Sequence, residues 1–199
     1  NGAGTSTDGG LVDGTIVEIN GSSLDNSTPM VLFNTATSDQ VIFSHIKFQA
    51  ADTAQHCVEA TVANIHNVDF VNCQFTQATS HGLYTNNLAN YWNLLYCRFD
   101  NNGGEGSHMQ QTNFNIVYKC LFDNNGGDGG RFGSFCRIIE CVFTNNGDDG
   151  GYISNSGSVV CNCVFDSNTD DGVYRTGGGQ GLYINNVYSN NGRYSHLTG

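Results

Sequence analysis

A short pattern recurs along this chain at nearly constant intervals, and it constrains the fold more than any other feature of the sequence. Each copy has an apolar residue, a spacer, Cys, a spacer and Phe, as in residues 95–99, and Ile46 and Asn186 replace Cys in the first and last copies. This alternation predicts a β-strand with one buried face. The aromatic positions lie 27, 24, 23, 21, 22 and 23 residues apart and are Phe48, Phe75, Phe99, Phe122, Phe143, Phe165 and Tyr188.

The residues that follow each aromatic position favour a tight corner. Asn101-Asn102-Gly103 follows Phe99, and similar Asn-rich steps follow the next copies. A single Asn-Gly step is typical of a hairpin, but a series of hairpins would not repeat identical residues once per period. A coil that makes one turn per period explains both features. Because Asn tolerates left-handed backbone conformations and its amide can hydrogen-bond to another Asn, we expect stacked Asn ladders at this corner.

These repeats resemble those of the right-handed parallel β-helix, the fold of pectate lyases, polygalacturonases, alginate epimerases and phage tailspikes. The resemblance covers roughly residues 40–195 and implies an all-β solenoid of about eight coils. We expect one β-helix domain over residues 1–199, with less regular coils over 1–40 and regular repeats of 21–27 residues over 41–195. Since such a repeat is a scaffold signature, it implies the fold and leaves the activity open.

The composition excludes two classes of partner. The chain has 18 acidic and 7 basic residues and a formal net charge of −11. Nothing in it could neutralise a run of phosphates, so we expect no nucleic acid partner and no adsorption to an anionic membrane. No stretch approaches the roughly 18–20 apolar residues of a membrane span, so no membrane insertion is expected. Without a signal peptide at its start, the sequence suits a mature or truncated product that acts outside the cell, on a cell surface or on a virion surface.

The pattern of the cysteines favours a packing role in the core over disulfides or a metal site. Five of the eight occupy one inward column, and Cys161 precedes Cys163 by two residues and is expected on the same face. Neighbouring positions on parallel strands point the same way, which disfavours disulfides, and no Cys-x-x-Cys pair suggests a metal site. We therefore expect a ladder of unpaired core thiols, with the state of Cys57 and Cys136 left open. The column consists of Cys73, Cys97, Cys120, Cys141 and Cys163.

An acidic column follows the corner, six residues after each Phe. In-register coils would place its carboxylates about 4.8 Å apart, where like charges raise one another's pKa. Three interpretations remain open: a Ca²⁺ site, a pair of catalytic carboxylates acting on a glycosidic bond, or a solvated acidic edge. The candidate metal ligands are Glu105, Asp128, Asp149 and Asp171, and His81 occupies the same column.

A second column, three residues further on, is rich in aromatic residues and is expected to face solvent. Tyrosine rings beside carboxylates suit a sugar polymer, although Tyr also simply fits strands well. Lyases of the resembling families use Arg or Lys to remove a proton next to a carboxylate, with Ca²⁺ neutralising the acid, and Arg131, His108 and Asp149 are the candidate catalytic residues here. The candidate carbohydrate-binding residues are Tyr84, His108, Arg131, Tyr152 and Tyr174.

The motif order departs from that of polygalacturonase-like hydrolases. Asn168-Thr169-Asp170 matches the first element of their pattern, but Asp148-Asp149 lies one coil before it instead of one coil after it. The catalytic roles of that family are therefore not carried over. The resemblance leaves a polysaccharide lyase, a glycoside hydrolase, a uronate epimerase or a non-enzymatic binding protein open.

Two apolar rows suggest lateral association. The first is expected to face outward and to pack against another subunit or against a covering loop of the same chain. The second, consisting of Leu94, Val117, Ile138, Val160 and Tyr183, is expected to be partly outward. The final residues contain no obvious cap for the last coil, so end-to-end contact is a further route to self-association. The first row is Leu121, Val142, Val164 and Val187.

Together these features predict an extracellular β-helix protein that binds or processes an acidic polysaccharide along one acidic and aromatic face. The alternative is a structural subunit of an extracellular filament, fibre or tailspike-like assembly.

Overall fold

A computed structural model of the protein describes residues 17–21, 24–25, 27–35, 39–85, 89–154, 157–177, 179–193 and 196–198. These residues form 23 short strands and their connecting turns, with no helix among them. In this described part no helix is long and apolar enough to cross a membrane. Residues 1–16 of the predicted irregular N-terminal coils, and residues 194, 195 and 199 of the predicted uncapped end, lie outside the described residues.

Three parallel sheets run along the axis of the coil, and successive strands of one sheet come from successive coils. The first sheet consists of β1 Val17–Asn20, β4 Ile46–Gln49, β7 Gln74–Thr76, β10 Arg98–Asp100, β13 Leu121–Asp123, β16 Val142–Thr144, β19 Val164–Asp166 and β22 Val187–Ser189. The second consists of β2 Val31–Phe33, β5 Val58–Ala60, β8 Leu83–Thr85, β11 Ser107–Met109, β14 Gly130–Phe132, β17 Gly151–Ser154, β20 Val173–Thr176 and β23 His196–Thr198. The third consists of β3 Val41–Ser44, β6 His66–Val71, β9 Asn90–Leu95, β12 Ile116–Tyr118, β15 Arg137–Ile139, β18 Val159–Cys161 and β21 Leu182–Ile184.

The repeat period sets the register of the coils. In the first sheet Phe99 pairs with Phe75 on one side and with Phe122 on the other. The rings stack inside the coil, with centroids 4.5 Å apart for Phe75 and Phe99 and 4.9 Å apart for Phe99 and Phe122. Identical residues thus meet identical residues on the next coil. The predicted parallel β-helix is confirmed.

The corner after each Phe carries the predicted Asn ladder. The Asn102 side chain donates to Asn125 Oδ1 at 2.9 Å, and Asn125 donates to Asn146 Oδ1 at 3.0 Å. The preceding residue adopts the left-handed backbone conformation, with φ of 56° at Asn101. A Cβ on Gly126 would lie 2.2 Å from the carbonyl oxygen of Gly103, so only glycine permits this approach of neighbouring coils.

All eight cysteines are free thiols, and seven are buried. Within the column the main-chain N–H of Cys97 donates to the sulfur of Cys120, and that of Cys120 donates to the sulfur of Cys141, both at 3.4 Å. Burial raises the pKa of Cys57 and of Cys136 to about 12. The placement of Cys161 on the inward face was wrong. It lies in β18 beside Ile139 and Ile184 and is half-exposed, because a turn at Asn162 separates it from Cys163.

The two apolar rows have different environments. Leu121, Val142 and Val164 are half-buried on the outer side of the first sheet, and Val187 is 56% exposed. The expectation of a second, partly outward row was wrong for four of its five members, since their side chains fill the core. Of these two rows, the first is therefore the one that leaves its side chains partly exposed along its whole length. The buried members are Leu94, Val117, Ile138 and Val160.

Candidate functional site

Five side chains form a continuous column on the outer side of the second sheet, which we call the binding face. His108 pairs with Tyr84 and with Arg131, and Tyr152 pairs with Arg131 and with Tyr174. All five are half-buried, while nine of the ten residues flanking them along the strands, such as Leu83 and Met109, are buried. The alternation of the strands thus brings the five predicted carbohydrate-binding residues into one row.

The acidic column lies beside the binding face and is buried. Glu105 is 8% exposed, Asp128 0%, Asp149 6% and Asp171 1%. Their carboxylates bond to the next coil: the Asp149 N–H donates to Asp128 Oδ1, and the Asp171 N–H donates to Asp149 Oδ1, both at 3.0 Å. The column is therefore an internal ladder and not a solvated edge.

Two histidines extend this ladder toward the N-terminus. The main-chain N–H of Glu105 donates to His81 Nδ1 at 3.0 Å, and that of His81 donates to His56 Nδ1 at 3.3 Å. His81 was predicted as a member of this column, and His56 was missed. The spacing could have revealed it, since His56 precedes His81 by 25 residues, close to the repeat period.

Burial shifts the acid–base properties of the ladder. It raises the pKa of Asp128 to about 6 and that of Asp149 to about 7, and neighbouring carboxylates add to both increases. Burial also lowers the pKa of His56 to about 4, with a further contribution from His81. The predicted mutual effect of the carboxylates is present, but desolvation is the larger cause.

Arg131 joins two coils of the acidic ladder. Its Nε donates to Asp128 Oδ2 at 2.5 Å and lies 3.0 Å from Glu105 Oε1. Its guanidinium also lies over the Tyr152 ring, 4.9 Å from the centroid. Burial raises the pKa of Glu105, but the adjacent imidazoles of His108 and His81 and the charge of Arg131 hold it well below the usual range.

Aromatic and imidazole rings stack on the N-terminal side of Arg131. The His56 ring lies 4.7 Å from Tyr84 and 5.1 Å from His81, with interplanar angles of 7° and 9°. The His108 ring is tilted by 51° against Tyr84 at 5.1 Å. On the C-terminal side Tyr152 and Tyr174 are 5.3 Å apart. The face thus has a histidine-rich end and a tyrosine-rich end.

The three candidate catalytic residues are only partly gathered. His108 and Arg131 both approach Glu105, with His108 Nδ1 at 3.8 Å from Oε1. Asp149 lies on the next coil, where its Oδ1 accepts the Asp171 N–H. Glu105, which was predicted as a candidate metal ligand and was not among the three candidate catalytic residues, is the residue that both His108 and Arg131 approach.

The four predicted Ca²⁺ ligands do not converge as one group within the described residues. Both oxygens of Asp128 are engaged, one by the Asp149 N–H and one by Arg131. Two of the predicted ligands, Asp149 and Asp171, have oxygens within 4.8 Å of each other and of Asp170. These three carboxylates come closer to a Ca²⁺ ligand group than the four predicted residues do.

No protein-family model matches the chain, and no curated protein matches its sequence. Several solved structures share its fold. The mannuronan C-5 epimerase AlgE4 A-module of Azotobacter vinelandii superposes with a TM-score of 0.68 at 11% identity, over 79% of this chain and 47% of the epimerase module. Pectate lyase Pel9A gives 0.62 at 16% identity, over 77% of this chain and 48% of the lyase.

A surface adhesin shares the fold as well. The surface protein and adhesin PfbA of Streptococcus pneumoniae gives a TM-score of 0.62 at 13% identity, over 80% of this chain and 49% of the adhesin. The chain has the pectate-lyase-like β-helix fold. It spans about half the length of each of these structures. At such low identities the similarity concerns the fold and not the site.

Proposed function

We propose that the chain binds an acidic polysaccharide along the binding face and acts outside the cell or on a surface. The observation that carries the proposal is the in-register row of Tyr84, His108, Arg131, Tyr152 and Tyr174 on adjacent strands. Four steps of about 4.8 Å give this row a length of about 19 Å, which suits a short oligosaccharide lying along the axis.

The chemistry of the row suits a sugar with a carboxylate. Tyr152 and Tyr174 offer apolar ring surface and hydroxyl groups to sugar rings. Arg131, held between Tyr152 and His108, supplies a fixed cation for a uronate group. Two of the similar structures are named for their action on mannuronan and on pectate, which supports a carbohydrate partner for this fold.

The acidic ladder makes this recognition pH-dependent. The chain carries a formal net charge of −11, which repels a polyanion. The pKa of Asp149, about 7, and that of Asp128, about 6, mean that both carboxylates take up protons as the pH falls from 8 to 5. Repulsion beside Arg131 then decreases, so uronate oligosaccharides bind more tightly at pH 5 than at pH 8.

A glycan screen tests the proposal. Mannuronate, guluronate, galacturonate and neutral oligosaccharides are measured for binding at pH 5 and pH 8, and the same mixtures are analysed for new reducing ends, unsaturated ends and altered stereochemistry. Tighter binding of uronates, most of all at pH 5, supports the proposal. New product ends would assign catalysis to this face, with Arg131, His108 and Asp149 as the first candidates. Absence of any glycan ligand would contradict the proposal.

A further inference from the structure

His81, Glu105 and His108 converge on one point at the histidine-rich end of the binding face. One ligand atom from each lies within 4.8 Å of the other two. Glu105 Oε2 faces His81 Nδ1, and His108 Nδ1 lies 3.8 Å from Glu105 Oε1. Glu105 therefore stands between two imidazole rings that come from adjacent coils.

Two buried polar atoms of this cluster have no partner in hydrogen-bond geometry. They are Glu105 Oε2 and His108 Nδ1. The Glu105 side chain is 10% exposed, so water does not readily satisfy its carboxylate. A buried polar atom without a hydrogen bond destabilises the folded state, and a bound ion is one of the few ways to satisfy it. A cation placed between these atoms would contact both.

We propose that His81, Glu105 and His108 form a binding site for a divalent transition-metal ion such as Zn²⁺. Two imidazoles and one carboxylate are a ligand set that Zn²⁺ takes in proteins. Bonds of about 2.0–2.2 Å place tetrahedral ligand atoms about 3.3–3.6 Å apart, so Glu105 Oε2 and His81 Nδ1 need to separate slightly while His108 approaches. Rotation of the half-buried His108 ring, on an outward strand position, supplies such a movement.

The surroundings of the cluster suit an ion with an open coordination position. The side chains of His81 and His108 remain 18% and 21% exposed, so an ion can enter from solvent. Arg131 Nε lies against Glu105 Oε1, which leaves Oε2 for the metal and holds the carboxylate in place. Imidazole nitrogens distinguish this cluster from the all-carboxylate group at Asp149, which suits Ca²⁺.

This inference does not rest on glycan binding, and it is tested without a glycan. The chelator-treated full chain is titrated with Zn²⁺ by calorimetry and with Co²⁺ by absorption spectroscopy, which reports the coordination geometry. We expect one ion per chain and a tetrahedral or five-coordinate Co²⁺ spectrum. The variants His108→Gln and Glu105→Gln should each weaken Zn²⁺ binding by about 100-fold. His45→Gln, at a half-buried histidine outside the cluster, is the matched control and should leave affinity unchanged.

A second measurement on the unaltered chain avoids any effect of substitution on folding. Histidines are modified with diethyl pyrocarbonate with and without Zn²⁺, and the sites are located by mass spectrometry. Zn²⁺ should protect His81 and His108 at least tenfold relative to His45 and His66. Equal modification with and without Zn²⁺ would overturn the proposal, and so would Zn²⁺ affinity that persists in a His81→Gln/His108→Gln double variant.

Discussion

Arg131 Nε donates to Asp128 Oδ2 at 2.5 Å, and this bond neutralises a carboxylate that is completely buried. Burial nevertheless raises the pKa of Asp128 to about 6, so the arginine offsets only part of the desolvation cost. The same Nε lies 3.0 Å from Glu105 Oε1 on the preceding coil. One guanidinium thus stabilises two coils of the acidic ladder and is itself part of the binding face.

Removal of this cation should destabilise the protein in a pH-dependent way. We expect Arg131→Met to lower the free energy of unfolding by about 1–3 kcal/mol at pH 8, because it leaves a buried carboxylate without its partner. The loss should shrink at pH 5, where Asp128 takes up a proton. Urea unfolding at the two pH values measures both effects. Arg137→Met, at an exposed position of the third sheet, is the control, and an equal loss there would contradict the account.

Asp149 should destabilise the fold at high pH. Its folded-state pKa, about 7, lies above the ordinary aspartate value of 3.8. The stability associated with its protonated form is therefore fully present below about pH 4 and is lost as the pH rises through 7. Asp149→Asn keeps an oxygen that accepts the Asp171 N–H. Its free energy of unfolding, relative to that of the unaltered chain, should increase by about 2–4 kcal/mol between pH 4 and pH 8.

Asp166→Asn should change stability with the opposite pH dependence and serves as the matched variant. Hydrogen bonds from Ser189 and Asn190 lower the pKa of the Asp166 carboxyl. The stabilisation by the ionised Asp166 carboxylate is present above the ordinary aspartate pKa and is lost as the pH falls below it. Asp166→Asn should therefore lower the free energy of unfolding more at pH 7 than at pH 3. Parallel pH profiles for Asp149→Asn and Asp166→Asn would contradict the assigned burial of Asp149.

The sequence predicted the coils better than it predicted the environment of their side chains. Since identical residues recur about every 23 positions, Phe99 had to meet Phe122, and the same register aligned Tyr152 with Tyr174. The burial of Asp128 could not be derived this way. It depends on the Asp149 N–H of the next coil, which supplies a hydrogen bond that the pattern of residue types does not reveal.

The same limitation applies to the candidate site. His108 and Arg131 were recognisable from their column, but their convergence on Glu105 depends on side-chain directions at a corner between two strands. Because the column was defined by its carboxylates, His56 was missed although its spacing fits the repeat. Periodicity predicts which residues share a row, and only the folded structure shows which rows touch.

The cysteine column should consist of protected thiols. All eight cysteines are unpaired and seven are buried, so a thiol reagent should react with few groups in the native protein. Denaturation without reductant should release all eight for titration. Recovery of only two or three thiols in denaturant would show that disulfides have formed and that the core differs from the one described.

Millimolar Ca²⁺ should raise the melting temperature, since an ion that binds only the native state stabilises it. The Asp149, Asp170 and Asp171 carboxylates are the expected ligands. A double variant, Asp149→Asn with Asp170→Asn, should lose the gain, whereas Asp39→Asn, at an exposed position outside the group, should keep it. An identical melting temperature with Ca²⁺ and with chelator would contradict a Ca²⁺ site at these carboxylates.

The most direct test of the central claim is calorimetric titration of a uronate oligosaccharide into matched tyrosine variants at pH 5. If the polymer lies along the binding face, Tyr152→Ala and Tyr174→Ala should each weaken binding by about 1–2 kcal/mol, through loss of ring contacts. Tyr96→Ala, at a tyrosine that is 40% exposed beyond the third sheet, should leave the affinity unchanged. Equal affinity of all three variants and the unaltered chain would contradict recognition along this face.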